Sequence, residues 1–192
     1  TEARPDQIRG QVEENLRQLG RNHLDVVNLR RQHGQESVTE HFGALAELRD
    51  AGLIRHLGIS GVKREHLAQA QAVAPVVCVQ NSYGLGSGQV DPLVQACAEQ
   101  GIAFVPFFAL AGTGREQGRT RPESDELLAV AREHDASAAQ IQLAWTLHQG
   151  SHVLAIPGTG DPDHLAENVA AGAIRLSPDQ LARLESLHQS GP

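Results

Sequence analysis

The chain has 192 residues, 40% hydrophobic and 20% charged, the composition of a soluble globular protein large enough to bury one core. Its formal charge of −7, without any run of Lys or Arg, removes the attraction on which non-specific nucleic-acid binding depends, so small-molecule partners are the expectation and no nucleic acid. No apolar run approaches the roughly 18 residues of a spanning helix and the polar start TEARPDQIRGQ is no signal peptide, so a cytoplasmic protein without a membrane partner is expected.

Elements follow in chain order. Residues 4–20 place Ile8, Val12, Leu16 and Leu19 at steps of four and three, which predicts a surface helix stopped by Gly20. LDVVNLR (24–30) predicts a strand, and VTEHFGALAELRDAG a helix facing Val38, Phe42, Leu45 and Leu48 inward. The cycle repeats: a strand at 55–60 before a helix near 64–73, one at 76–80 before a helix near 91–100, and one at 102–107. A glycine-rich loop and helices near 123–134 and 137–149 follow. HVLAIP (152–157) closes the strand series before a helix from Asp161 to about Ala171 and a last one over 177–189, with Ser177 as N-cap and Pro178 in its first turn.

Five strands joined by helical crossovers, nearly continuous in apolar residues, predict an α/β fold with a parallel sheet covered on both faces. Cys78 and Cys97 sit in apolar runs with no CxxC spacing and are expected as buried thiols, with no disulfide or zinc site. His148 and His152 have tempting spacing, but Gly150 separates a helix end from a strand there, and no metal site is expected. There is no Met, not even at position 1, and a truncated product is expected.

In parallel α/β folds the ligand site forms at the C-terminal strand ends. Those ends are Arg30, Ser60-Gly61, Gln80-Asn81, Phe107-Phe108 and Pro157-Gly158-Thr159, a polar, aromatic and glycine-rich set. Singly, Gly61 is explained by a turn, Gln80 and Asn81 by loop caps, Phe107 by the core and Arg30 by an ion pair. Together they read as a ligand-binding rim.

The segments LDVVNLR, ALAELRDAGLIRHLGIS, VVCVQNSYGL, GIAFVPFFAL, AQIQLAWTL and IPGTGDPDHLAEN carry a resemblance to the aldo-keto reductases over essentially the whole chain. It implies a single domain over 1–192 that is part of a TIM-type (β/α)8 barrel, five parallel strands with their helices, lacking the first third. It also implies NAD(P)H-dependent reduction of aldehydes or ketones to alcohols, with a small carbonyl substrate. By that resemblance Ser60 and Gln80 hold the nicotinamide carboxamide, and Phe107 stands where a Tyr commonly stacks on the nicotinamide ring. Phe108, Leu110 and Gly112 lie along the pyrophosphate, with 112–118 as a flap. Gly158, Thr159 and His164 face the adenosine half, and Glu167 and Asn168 the adenine. Asp161-Pro162 opens the following helix, whose positive end faces that site; read alone, it is only an efficient N-cap.

Departures from the family are visible too. Gly61 replaces an Asn, and Arg30 replaces the His that orients the carbonyl; His33 reads as a loop residue rather than a substitute. Gly158 and His164 stand where a Lys and an Arg are usual, with Asp161 and Asp163 nearby, so NADP(H) is preferred through the family and NAD(H) stays open. The catalytic Asp, Tyr and Lys of the first third have no counterpart, and the one Tyr, Tyr83, reads as structural. Two other readings remain: a non-enzymatic cofactor-binding or regulatory relative, and an independent five-stranded flavodoxin-like domain, which the strand count alone allows.

Overall fold

The computed structural model describes residues 4–32, 34–85, 92–107, 109–110 and 124–189. The chain divides into two compact units, Thr1–Asn81 with Glu99–Ala103, and Ser82–Ala98 with Phe104–Pro192.

The first unit alternates α1 (Pro5–Leu19), β1 (Leu24–Arg30), α2 (Thr39–Asp50), β2 (Ile54–Ser60), α3 (Arg64–Val73) and β3 (Val76–Gln80). Helix α1 begins with Pro5 at its first position, where the missing N–H costs nothing, and ends where Gly20 turns left-handed at φ 62°. Ile8, Val12 and Leu16 are buried, whereas Leu19, in the last turn before the chain swings away, is 64% exposed. Val38, Phe42, Leu45 and Leu48 all point inward as the spacing predicts.

β1 pairs parallel to β2 and β2 to β3, with an irregularity at Leu57/Gly58 that leaves Val77 without a partner. One face carries Leu57, Ile59 and Val79, all fully buried. The other carries two transverse rows, Asn28–Gly58–Cys78 and then Arg30–Ser60–Gln80. Side chains two apart on a strand share a face, so both rows look the same way.

The second unit holds α5 (Asp125–Glu133), α6 (Ala138–His148), α7 (Pro162–Ala170), a 3₁₀ turn over Ala171–Ala173 and α8 (Pro178–Gln189). Its core includes Tyr83, Phe104 and Trp145: the Tyr83 ring stacks on Trp145 at 5.7 Å and meets Phe104 edge-on at 5.8 Å. α8 opens as expected, with the Ser177 hydroxyl accepting from the Gln180 amide at 3.2 Å. Helix α4 (Pro92–Gln100) and strand β4 (Ala103–Phe104) straddle the boundary in sequence.

Among the described residues the sheet has four strands in the order β1-β2-β3-β4, not the five expected. β4 is two residues long because Pro106 offers no ladder donor. The stretch 152–157 forms one parallel bridge, Val153 to Phe104, with hydrogen bonds of 2.9 Å on either side of it. Leu154 and Ile156 then stand 54% and 50% exposed. An apolar run becomes a strand only where a neighbour satisfies its amides, and past Leu154 no such backbone hydrogen bond is formed among the described residues.

Candidate functional site

In the first unit the predicted residues Arg30, Ser60 and Gln80 are Cα partners in one row across the strand ends. Ser60 is buried, Gln80 half-buried and Arg30 exposed. Arg30 forms no ion pair among the described residues. The ladder runs one step further, with the Arg31 amide donating to Ser60 O at 2.8 Å and the Gly61 amide to Gln80 O at 2.9 Å. Gly61 has φ 67°, a conformation that side chains disfavour, so the turn alone accounts for a glycine there. The Arg31 guanidinium fixes this turn from outside, donating to Gly61 O at 2.8 Å and Gln35 O at 3.0 Å.

Two supporting features escape the sequence reading, the His66 cap and the Gly58 contact; a third, Asn81, is the loop cap weighed for it. Buried Asn81 accepts from the Val62 amide at 3.0 Å and donates to the Val62 carbonyl at 2.8 Å, clamping the loop after Ser60. His66, also buried, accepts from the Lys63 amide at 3.0 Å; burial first, then the Arg31 charge, holds its pKa below the ordinary value, so it caps α3 as a neutral ring. Beneath the row, Asn28 folds over Gly58: a Cβ there would stand 1.8 Å from Asn28 Oδ1 and 2.8 Å from Cys78 O. That Oδ1 is buried without a hydrogen-bond partner. Burial pushes the pKa of the Cys78 thiol up, and a hydrogen bond with the Asn28 side chain works the other way. The glycine inside HLGIS was the available signal, since a glycine within a strand often marks a close approach.

In the second unit Phe107 is half-buried and bridged to Ser82, and its carbonyl accepts from the Tyr83 amide at 3.2 Å. Leu110 packs against Ala109, Leu143 and Ala171. Phe108, Gly112, His33 and the flap 112–118 lie outside the described residues. Tyr83 is buried and its hydroxyl donates to Gln149 Oε1 at 3.2 Å, the structural role expected of it.

Gly158 and Thr159 are exposed ahead of α7. The Asp161 amide donates to Thr159 Oγ1 at 3.1 Å, and Asp161 Oδ1 accepts from the Asp163 amide at 2.9 Å, which makes Asp161 the N-cap. His164 Nδ1 stands 3.9 Å from Asp161 Oδ2. Two turns on, Glu167 is tied to the start of α6: its carboxylate accepts from Ser137 Oγ at 3.3 Å and its carbonyl from Gln140 Nε2 at 3.1 Å. Asn168 is half-buried, and no side chain among the described residues hydrogen-bonds its amide. Among those residues no group of His, Cys, Asp and Glu could hold a metal ion; His152 is engaged with the Val94 carbonyl at 2.9 Å.

The first unit is thus a parallel α/β scaffold with polar residues aligned at its strand ends. The sequence pattern of the aldo/keto reductase family matches residues 1–189, and the chain belongs to that family of oxidoreductases. It is 38% identical over 189 residues to pyridoxine 4-dehydrogenase of Escherichia coli strain K12, covering 95% of this chain and 64% of that protein. It matches the structure of a thermostable aldo-keto reductase in complex with epalrestat, with a TM-score of 0.81 and 30% identity over 96% of this chain and 67% of the other. The aldo/keto reductase from Klebsiella pneumoniae in complex with NADP and acetate gives 0.79 and 27%, over 96% and 65%. The chain therefore spans less than two thirds of the length of the curated relative. No helix among the described residues is long and apolar enough to cross a membrane.

Proposed function

We propose that this protein is a cytoplasmic NAD(P)H-dependent reductase of aldehydes or ketones, with this chain carrying mainly the cofactor-binding share of the site. The observation that carries the reading is the row Arg30–Ser60–Gln80, three polar side chains held in register at the carboxyl ends of parallel strands. A carboxamide needs both a donor and an acceptor, and the Ser60 hydroxyl with the Gln80 amide offers both. Held so, a nicotinamide ring presents one face. The chemistry that the bound reduced nicotinamide supplies is hydride donation to a carbonyl carbon.

Around that carbonyl, Arg30 is the residue with a charge to offer. Its guanidinium hydrogen-bonds the oxygen as negative charge develops there, or holds a substrate carboxylate. Thr159, Gly158, Glu167 and Asn168 take the adenosine half, with the Asn168 amide reading the adenine edge. Leu110 is assigned to the pyrophosphate.

A second reading, a cofactor-binding relative that performs no reduction, is favoured by one observation. Tyr83 spends its hydroxyl on Gln149 inside an aromatic cluster, so the one tyrosine of the chain is no proton donor to a substrate. Titration with NADH and NADPH, followed by assays with aliphatic and aromatic aldehydes, tests both readings. Saturable binding supports the cofactor site, and its absence removes it. Turnover by this chain alone would overturn the assignment of Tyr83 and with it the second reading; binding without turnover both here and in a version carrying an upstream barrel third favours the second reading.

A further inference from the structure

We propose that Arg31, Asn81 and His66 are positioning residues that together hold the loop 61–63 and so aim Ser60, and that a proton on His66 releases the hold. The inference rests on the reading that Ser60 and Gln80 bind the nicotinamide carboxamide, and it concerns side chains that touch no cofactor in that reading. Successive residues of the loop are each fastened by a different side chain. The Arg31 guanidinium, from the segment after β1, donates to Gly61 O at 2.8 Å. Asn81, which follows β3, accepts from the Val62 amide at 3.0 Å and donates to the Val62 carbonyl at 2.8 Å. His66 Nδ1, in the first turn of α3, accepts from the Lys63 amide at 3.0 Å. Arg31 and Asn81 follow directly on Arg30 and Gln80, the two residues in register with Ser60. A side chain keeps its aim when the backbone on both sides of it is fixed: before Ser60 that is the ladder, and after it this loop.

Of these fasteners His66 alone changes charge near neutral pH. Its Nδ1 accepts a hydrogen bond and so carries no proton, which leaves the proton of the neutral ring on Nε2. A second proton on Nδ1 turns the acceptor into a donor that faces the Lys63 N–H, and it charges a ring that is 3% exposed. The charges that act on the ring are Arg31, from the segment after β1, and Lys63 and Glu65 beside it on α3. Among the described residues α2 and β3 also pack on α3 and add no charge to that balance. Burial opposes the proton most, then Arg31; Glu65 favours it and Lys63 opposes it. The hold is therefore complete above the ordinary histidine range and is lost as pH falls below it.

The test compares NADP⁺ with ADP-ribose 2′-phosphate, and NAD⁺ with ADP-ribose, in calorimetric titrations from about pH 8 to about pH 5. Each pair shares its adenine and phosphates and differs in the nicotinamide ring, so the affinity ratio within a pair reads the contacts of the ring. In the parent that ratio is expected to fall at least about fivefold at the acid end, the equivalent of one ordinary hydrogen bond. His66→Gln keeps an oxygen that can reach back to the Lys63 amide as in a capping box, and it cannot titrate, so its ratio should stay flat. Arg31→Gln removes a cation that opposes the proton, so its fall should begin at higher pH than the parent's. A parent ratio above one that is independent of pH, an equal fall in His66→Gln, or an onset in Arg31→Gln no higher than the parent's overturns this inference alone. Equal affinity within both pairs at every pH also overturns the assignment of Ser60 and Gln80, and failure of all four compounds to bind overturns the cofactor site itself. If a variant does not fold, as melts at about pH 8 will show, the parent's own profile decides.

Discussion

Replacing Gly58 with alanine tests whether the strand-end row depends on the row beneath it. The new Cβ would stand 1.8 Å from Asn28 Oδ1, 3.0 Å from Asn28 Cγ and 2.8 Å from Cys78 O. The first two can be relieved by turning the half-buried Asn28 side chain. The third is backbone of β3, so β2 and β3 must separate where Gly58 and Cys78 are partners. Overpacking of this kind costs about 1–3 kcal/mol. Opposing it, alanine restricts the unfolded chain and returns about 0.4–1 kcal/mol. The net expectation is a loss of about 1–2 kcal/mol, or a melting midpoint lower by about 3–6 °C for a chain of this size. Circular dichroism melts of the parent, Gly58→Ala, Asn28→Ala and the double variant measure it. Asn28→Ala should rescue part of the loss by removing the side-chain clash, with a coupling of at least about 0.5 kcal/mol. It should not rescue all of it, because the Cys78 carbonyl stays. A Gly58→Ala chain as stable as its parent, or a cycle with no coupling, would refute the close approach.

Tyr83→Phe deletes one hydrogen bond to Gln149 and should cost about 1 kcal/mol of stability while leaving cofactor affinity unchanged; a loss of affinity without a loss of stability would contradict its structural role. Asn168→Ala should weaken both nicotinamide cofactors at least several-fold in titrations, and unchanged affinity would remove the adenine assignment. The Glu133 carboxyl is held below the ordinary glutamate range by hydrogen bonds from Gln180 and Arg183. Its folded pKa being depressed, the stability it contributes is present above the unfolded-state value and disappears as pH falls through the folded one. Melts across the acid range should therefore show a shallower decline for Glu133→Gln than for the parent, and parallel curves would refute that linkage.

The strands β1 to β3 were legible because each is an apolar run bounded by turn residues and flanked by helical spacing, and each found a neighbour at the predicted place. HVLAIP carries the same local signal but yields only the bridge at Val153, since pairing is a property of the partner and not of the run. Ser60 and Gln80 were legible as polar residues ending apolar segments. Asn28, Gly58 and Cys78 were not, because the fact that joins them is register between strands about 20 to 30 residues apart, which no local pattern encodes. The cap at Asp161-Pro162 was plain from its residue types. The tie from Glu167 to Ser137 and Gln140 was hidden, being a contact between two helices that each look complete alone.

The two groups of candidate residues are held by different forces, and perturbations should separate them accordingly. Ser60 and Gln80 sit on a hydrogen-bonded ladder, with the Asn81 clamp behind Ser60, so moving them requires breaking backbone pairing. Helix α7 has no buried residue, exposes Leu165 and Val169, and is fastened by its cap and by Glu167. Segments with few buried contacts open locally at low cost. Amide exchange should therefore be slow along β2 and fast along α7, and a bound dinucleotide should protect α7 by the larger factor, because ligand binding stabilises most what is least stable without it. Equal protection of the two would mean that α7 is anchored by something other than the cap and the Glu167 tie.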